Sequence, residues 1–126
     1  MRKIALALLA AAVVIPAAAS SQPAKPANQC FFDRDWRGWK AIDNKSMYIR
    51  TGLHQIYRVD FSAGCPGLTS PNAHLVTSSH TGSICSAIDL DIKVSDLQGF
   101  STPCIPSSLT PLTKEDMAAI PKKLVP

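Results

Sequence analysis

The chain has 126 residues and a formal net charge of +4 at pH 7, from 13 lysines and arginines against 9 acidic residues. Beyond the adjacent pair Arg2 and Lys3, its basic residues are dispersed, and only Lys122 and Lys123 are neighbours. Nucleic-acid binding calls for a basic stripe or patch and membrane-surface binding for a basic amphipathic helix. The chain shows neither pattern, so we expect no nucleic-acid partner.

Residues 1–19 predict a secretory signal peptide. Arg2 and Lys3 precede the apolar run Ile4 to Ile15, and the small residues Ala17 and Ala19 precede the predicted cleavage point. The run is shorter than the about 20 residues of a spanning helix, and no cysteine directly follows the small residues. We therefore expect a periplasmic or secreted protein with no membrane anchor after cleavage.

The mature chain is long enough for one domain and too short for two. Residues 20–29 (SSQPAKPANQ) predict a flexible spacer, because they are polar, contain proline and show no periodicity. A single small domain is expected over residues 30–120, followed by a tail at residues 121–126.

Four cysteines, Cys30, Cys65, Cys85 and Cys104, follow the spacer. An even number in a small exported chain predicts two disulfides. Their wide spacing lacks the close pairs that structural zinc favours, so we expect no metal site, and no cofactor is indicated. Of the three pairings that four cysteines allow, we favour Cys65–Cys85 with Cys30–Cys104 joining the ends of the domain.

Alternation of apolar and polar residues predicts a small antiparallel sheet. The segments Ser46 to Arg50 and Gln55 to Ser62 predict a hairpin that turns through Thr51 to His54. The segment Ile88 to Val94 predicts another strand. The residues expected to face the core are Tyr57, Val59, Phe61, Ile88, Leu90, Ile92 and Val94.

A short C-terminal helix is predicted after Thr113, which is a suitable N-cap residue. Glu115 and Asp116 suit the positive end of the helix dipole, and Pro121 ends the helix. The predicted fold class is therefore mainly β, with a small antiparallel sheet, one short C-terminal helix and two disulfides.

No standard catalytic signature occurs in the sequence, such as a G-x-S-x-G elbow, an H-E-x-x-H pair or a phosphate-binding glycine loop. His54, His74 and His80 are scattered along the chain, and we interpret them as surface residues. A catalytic pair assembled in space from distant residues stays open as an alternative.

Asp89 and Asp91 lie two residues apart, on the face of the predicted strand that meets water. A calcium site needs six or more oxygen ligands, and no nearby residues complete such a set. We expect these carboxylates to pair with Arg50 or Arg58 across the sheet.

The most unusual local sequence is Trp36-Arg37-Gly38-Trp39. Its tryptophans either cover the core of a small domain or form a platform for a sugar or peptide. If the protein binds through a surface, the predicted patch joins Trp36 and Trp39 to Arg50 and Arg58, because aromatic and arginine residues are enriched at binding hot spots.

An ordered set of short motifs extends over about residues 29–120, nearly the whole mature chain. The motifs are Cys30-Phe31, Trp39-x-x-Ile42-Asp43, Tyr48-x-Arg50-x-Gly52, Tyr57-Arg58-Val59-Asp60-Phe61, Cys65-Pro66-x-Leu68, Ile84-Cys85, Cys104-x-x-x-Ser108-Leu109 and Leu112-Thr113-x-Glu115. Together they resemble a family of small exported bacterial proteins with four cysteines, known only as a domain of unknown function. One departure is that the segment around Ser107 and Ser108 lacks basic residues typical of that family. The resemblance implies an exported single domain and no particular activity.

The sequence thus favours a non-enzymatic, monomeric protein that binds an envelope component or a protein partner. One alternative is an inhibitor of a secreted hydrolase that uses a disulfide-closed loop at Ala63 to Ser86. Another is an enzyme whose site is assembled from scattered groups.

Overall fold

The computed structural model describes residues 30–126. The predicted signal peptide and the spacer at residues 20–29 lie outside the described residues. The described strands are β1 (Phe31–Phe32), β2 (Trp36–Ala41), β3 (Ser46–Thr51), β4 (Gln55–Phe61), β5 (His74–Ser78), β6 (Ser83–Ile84), β7 (Asp91–Ser95), β8 (Ser101–Cys104) and β9 (Pro106–Pro111), followed by the helix α1 (Lys114–Ala118). Short 3-10 turns occupy Asp33–Asp35, Ala87–Asp89 and Lys122–Leu124.

The strands form three antiparallel sheets, ordered β2-β3-β4-β9, β5-β7-β8 and β1-β6. The predicted fold class is confirmed: the domain is mainly β, with one short C-terminal helix and two disulfides. The β strands are divided among three small sheets. The N-cap of α1 is Thr113, whose Oγ1 accepts a hydrogen bond from the Asp116 backbone N–H at 3.1 Å.

The predicted hairpin is formed by β3 and β4. Ile49 pairs with Tyr57 and Met47 with Val59, so residues of one parity on both strands lie on the same face. The turn includes Gly52 at φ +58°, a backbone conformation that favours glycine.

One hydrophobic core joins the three sheets. Strand β4 contributes residues of one parity, as alternation predicts. The rest come from strands β1, β3, β6, β7 and β8, from Leu90 before β7 and from the loop after β4. Its buried members are Phe31, Met47, Ile49, Tyr57, Val59, Phe61, Cys65, Leu68, Ile84, Leu90, Ile92, Val94 and Cys104. Because these residues come from all three sheets, the core binds the sheets into one unit.

The predicted strand Ile88 to Val94 is wrong in its first half. Ala87–Asp89 forms a 3-10 turn, the strand begins at Asp91, and Ile88 is 86% exposed. The Asp89 carboxylate accepts hydrogen bonds from the Cys85 and Ser86 backbone N–H groups at 3.0 and 2.9 Å. Such a local bond competes with strand pairing, so the turn displaces Ile88 from the core, while Leu90, Ile92 and Val94 are buried as predicted.

The predicted disulfide pairing is also wrong, because the bonds join Cys30 to Cys85 and Cys65 to Cys104. Pairing of β1 with β6 puts Phe31 opposite Ile84 and brings the Cα atoms of Cys30 and Cys85 to 4.2 Å. A hydrogen bond from the Ser62 N–H to the Ile105 carbonyl brings the end of β4 to the end of β8. Cys65 and Cys104 are thereby placed with their Cα atoms 5.1 Å apart.

Candidate functional site

A β-bulge decides which way the two tryptophans face. Trp36 pairs with Thr51, Gly38 with Arg50 and Trp39 with Ile49, so the register shifts by one residue between Trp36 and Gly38. In a regular strand, residues three apart lie on opposite faces. The extra residue puts both tryptophans on the side of the sheet that faces the core.

The two tryptophans have different surroundings on that face. Trp36 packs edge-on against Phe31, with ring centroids 6.4 Å apart. Trp39 is partly buried and borders an open cleft of about 320 Å³. This Trp39 cleft is lined by Trp39, Lys40, Ala41, Leu68, Thr69, Ser70, Pro71 and Ala73. Both tryptophans pack against the core, and of the two only Trp39 lines this cleft.

The wall opposite Trp39 is a loop, residues 66–73, held by its own turns. The Leu68 N–H bonds to the Cys65 carbonyl at 3.2 Å and the Ser70 N–H to the Gly67 carbonyl at 3.0 Å. The Leu68 side chain is 1% exposed and anchors the loop in the core. The loop thus presents the exposed residues Thr69 and Ser70 from a fixed base.

A second cleft, of about 240 Å³, borders the same loop. This Phe100 cleft is lined by Pro66, Gly67, Ser70, Asn72, Ala73, Val94, Ser95, Asp96, Phe100 and Thr102. The Asp96 carboxylate closes the β7–β8 turn by accepting hydrogen bonds from the Gln98 and Phe100 backbone N–H groups, each at 2.9 Å. Phe100, which is 74% exposed, is therefore presented from an ordered turn.

Arg50 and Arg58 lie on the other face of the β2-β3-β4-β9 sheet. Arg58 forms an ion pair with Asp60 at 2.9 Å. The Nε of Arg50 is buried and has no hydrogen-bond partner among the described residues. The sheet thus separates the predicted arginines from Trp36 and Trp39, and the four residues do not form one patch; their role in binding stays a prediction.

The C-terminal segment approaches the face that carries Arg50. A Cβ atom built on Gly38, the cross-strand partner of Arg50, would lie 3.6 Å from the carbonyl carbon of Pro126. Pro126, in the segment 121–126 that was expected to be a tail, therefore lies next to the sheet.

The predicted pairing of Asp89 and Asp91 with arginines does not occur. Hydrogen bonds from the Cys85 backbone N–H and from the Ser86 hydroxyl and N–H hold the pKa of the Asp89 carboxyl below its usual value. The Asp91 carboxylate oxygen Oδ2 lies 4.0 Å from the Lys93 Nζ and accepts a hydrogen bond from the Ser78 hydroxyl. Both carboxylates thus have local partners within their own turn or sheet.

The histidines His54, His74 and His80 are all exposed. Within residues 30–126, no group of three or more histidine, cysteine or acidic side chains is arranged to hold a metal ion. The described part of the chain also has no helix that is long and apolar enough to cross a membrane.

The loop proposed for a hydrolase inhibitor, Ala63 to Ser86, is not closed by a disulfide of its own. Cys65 is bonded to Cys104 and Cys85 to Cys30, so each end is tied to a different part of the domain. The structural feature that suggested an inhibitor is therefore missing.

A model of a family of unknown function, DUF6491, matches residues 1–124. The chain belongs to this family. No curated protein and no solved structure gives a significant match.

Sequence reasoning missed Phe100, and it named residues 66–73 only as part of the longer loop Ala63 to Ser86. The loop has no periodicity, since its anchor Leu68 is followed by polar and turn-forming residues. Phe100 had a usable signal, because Asp96 and Gly99 are turn-forming residues that place an aromatic residue directly after a predicted strand. Neither feature reveals by itself that the two segments border neighbouring clefts.

Proposed function

We propose that this DUF6491 member is an exported, non-enzymatic binding protein of the cell envelope, and that the Trp39 cleft holds an envelope glycan. The observation that carries the proposal is the partly exposed Trp39 in an open cleft, facing a loop with hydroxyl side chains. Ligand sites commonly combine aromatic surface with a few well-placed polar groups.

A sugar ring matches this lining. One face of a sugar ring carries C–H groups that contact an aromatic face, and its rim carries hydroxyls that exchange hydrogen bonds with side chains. The Thr69 hydroxyl donates to the Asn44 side chain at 3.0 Å, which leaves its oxygen lone pairs as acceptors. Lys40 follows Trp39 in β2 and pairs with Tyr48, so its side chain leaves the sheet on the face away from Trp39.

Export is supported by two independent features. The first 19 residues have the order of charges, apolar residues and small residues that signal peptidase recognises. Two disulfides in a small domain are typical of an oxidising compartment. An envelope glycan is a ligand available in that compartment.

Tryptophan fluorescence tests the site directly, because Trp36 and Trp39 are the chain's two tryptophans. The variant Trp36→Phe leaves Trp39 as the sole indole. Titration with soluble peptidoglycan fragments should produce a saturable change in its emission, since the ligand replaces water around the ring.

The matched control is Trp39→Phe, which leaves Trp36 as the sole indole against Phe31. Its emission should not respond, because Trp36 does not line the Trp39 cleft. The proposal fails if Trp39 emission is unchanged by peptidoglycan fragments and by lipopolysaccharide oligosaccharides, or if both variants respond equally.

A further inference from the structure

The Trp39 and Phe100 clefts are neighbours that share part of their lining. Ser70 and Ala73 line both of them, so the clefts meet along the loop of residues 66–73. The two clefts taken together, called the groove, have Trp39 in one part and Phe100 in the other.

The size of each cleft argues for joint occupancy. Sites for small ligands have volumes of about 300–1,000 Å³. The Trp39 cleft, at about 320 Å³, is at the lower limit, and the Phe100 cleft, at about 240 Å³, is below it. A ligand that extends through both clefts would occupy a volume well within that range, whereas the Phe100 cleft alone is too small for it.

The two clefts share one chemistry. Each offers one aromatic side chain together with hydroxyl groups, and Asn72, Ser95 and Thr102 supply the polar groups at the Phe100 end. The Asp96 carboxylate oxygen Oδ1 is engaged by two backbone N–H groups of its own turn. Lys40 and Asp96 are the charged members of the lining. The groove otherwise repeats an aromatic and hydroxyl lining, which suits a chain of repeated hydroxylated units.

The walls of the groove are held in place by hydrogen bonds within the protein itself. The shared wall is fixed by the Ala73 N–H bond to the Ser70 carbonyl at 3.1 Å, which follows the turns around Leu68. Phe100 is fixed at its backbone, since the Asp96 N–H donates to the Phe100 carbonyl at 3.0 Å. Preformed walls reduce the entropy lost when an extended ligand binds.

We propose that the groove binds a linear oligosaccharide of at least two sugar units, with one unit stacked on Trp39 and another on Phe100. The chain between them passes over Ser70 and Ala73. This inference rests on the proposed function of the Trp39 cleft and adds the second subsite and the requirement for a chain.

The test is a titration of N-acetylglucosamine oligomers of one to six units into the full mature protein, with affinity measured by calorimetry. When a ligand is long enough to reach Phe100, the second contact becomes intramolecular, and affinity should rise by about 100-fold or more over the monosaccharide. Phe100→Ala should remove most of this rise and weaken the longest oligomer by about 10-fold or more, equivalent to about 1.4 kcal/mol. Phe100→Ala should weaken the monosaccharide far less than it weakens the longest oligomer.

Leu97→Ala is the matched control, because Leu97 is 68% exposed in the same turn but does not line the groove. It should bind every oligomer as the wild type does. Equal affinity for short and long oligomers, or no effect of Phe100→Ala, overturns the second subsite while sugar binding at Trp39 stands. If no oligomer or peptidoglycan strand binds and an extended peptide binds instead, the inference and the proposed glycan function both fail.

Discussion

Replacing Cys65 and Cys104 together by alanine should cost more stability than the same replacement of Cys30 and Cys85. The two disulfides close chain segments of similar length, with sequence separations of 39 and 55 residues. The loss of loop-closure entropy therefore predicts about 4 kcal/mol for each bond. On entropy alone, the exposed bond would contribute slightly more.

The difference in burial between the two disulfides makes the expected loss of stability larger for Cys65–Cys104 than for Cys30–Cys85. Cys65 is 0% and Cys104 is 4% exposed, both within the core, whereas Cys30 and Cys85 are at the surface. Removing two sulfur atoms from the core leaves a cavity that should cost about 1–2 kcal/mol more. The expected totals are about 5–6 kcal/mol for the buried bond and about 4 kcal/mol for the exposed one, large fractions of the about 5–15 kcal/mol of a typical domain.

Urea unfolding followed by tryptophan fluorescence measures the difference. Both variants should also have a larger denaturant slope than the wild type, because an uncrosslinked unfolded chain exposes more surface. Thiol titration should show that the remaining disulfide is intact. A loss for the exposed pair that equals or exceeds the loss for the buried pair would refute the argument from burial.

Two further predictions concern local turns. Gly64→Ala should destabilise the domain by about 1 kcal/mol more than Gly52→Ala. Both glycines have positive φ, which strains any replacement, but only at Gly64 would the new Cβ lie close to a backbone atom, the Asn44 oxygen at 3.3 Å. Equal unfolding midpoints in urea for the two variants would contradict this prediction. Asp89→Asn should destabilise the domain at neutral pH. Since folding lowers the pKa of Asp89, the contribution of its carboxylate to the free energy of unfolding is complete above about pH 4 and is lost as the pH falls through the folded-state pKa. The unfolding free energies of variant and wild type, measured in urea, should therefore converge in acid. A difference in unfolding free energy that is independent of pH would count against this role of the turn.

Local patterns in the sequence were sufficient for several elements. Alternation identified the buried residues of β4, and the acidic first turn after Thr113 located α1. Both signals arise within one element, from the two-residue period of a strand and from the unpaired N–H groups at a helix start. An even set of cysteines likewise indicated two disulfides.

Tertiary structure decided how these parts are joined. Cysteine pairing depends on which strands become neighbours, and the pairing of β1 with β6 is a contact between segments far apart in sequence. At Ile88 the chain forms the Asp89 turn and not the strand that alternation predicts, because the Asp89 carboxylate forms hydrogen bonds with nearby backbone N–H groups.

The candidate site shows the same division. Two tryptophans near Gly38 are visible in the sequence as an unusual pair, yet the bulge at residue 37 decides that both face inward and away from Arg50 and Arg58. The two clefts exist only because β2 and the β7–β8 turn each come to lie beside the loop of residues 66–73. By itself, the sequence determined which residues are apolar and where the local turns begin; which surfaces meet was decided by long-range packing, because contacts between distant segments have no local period to mark them.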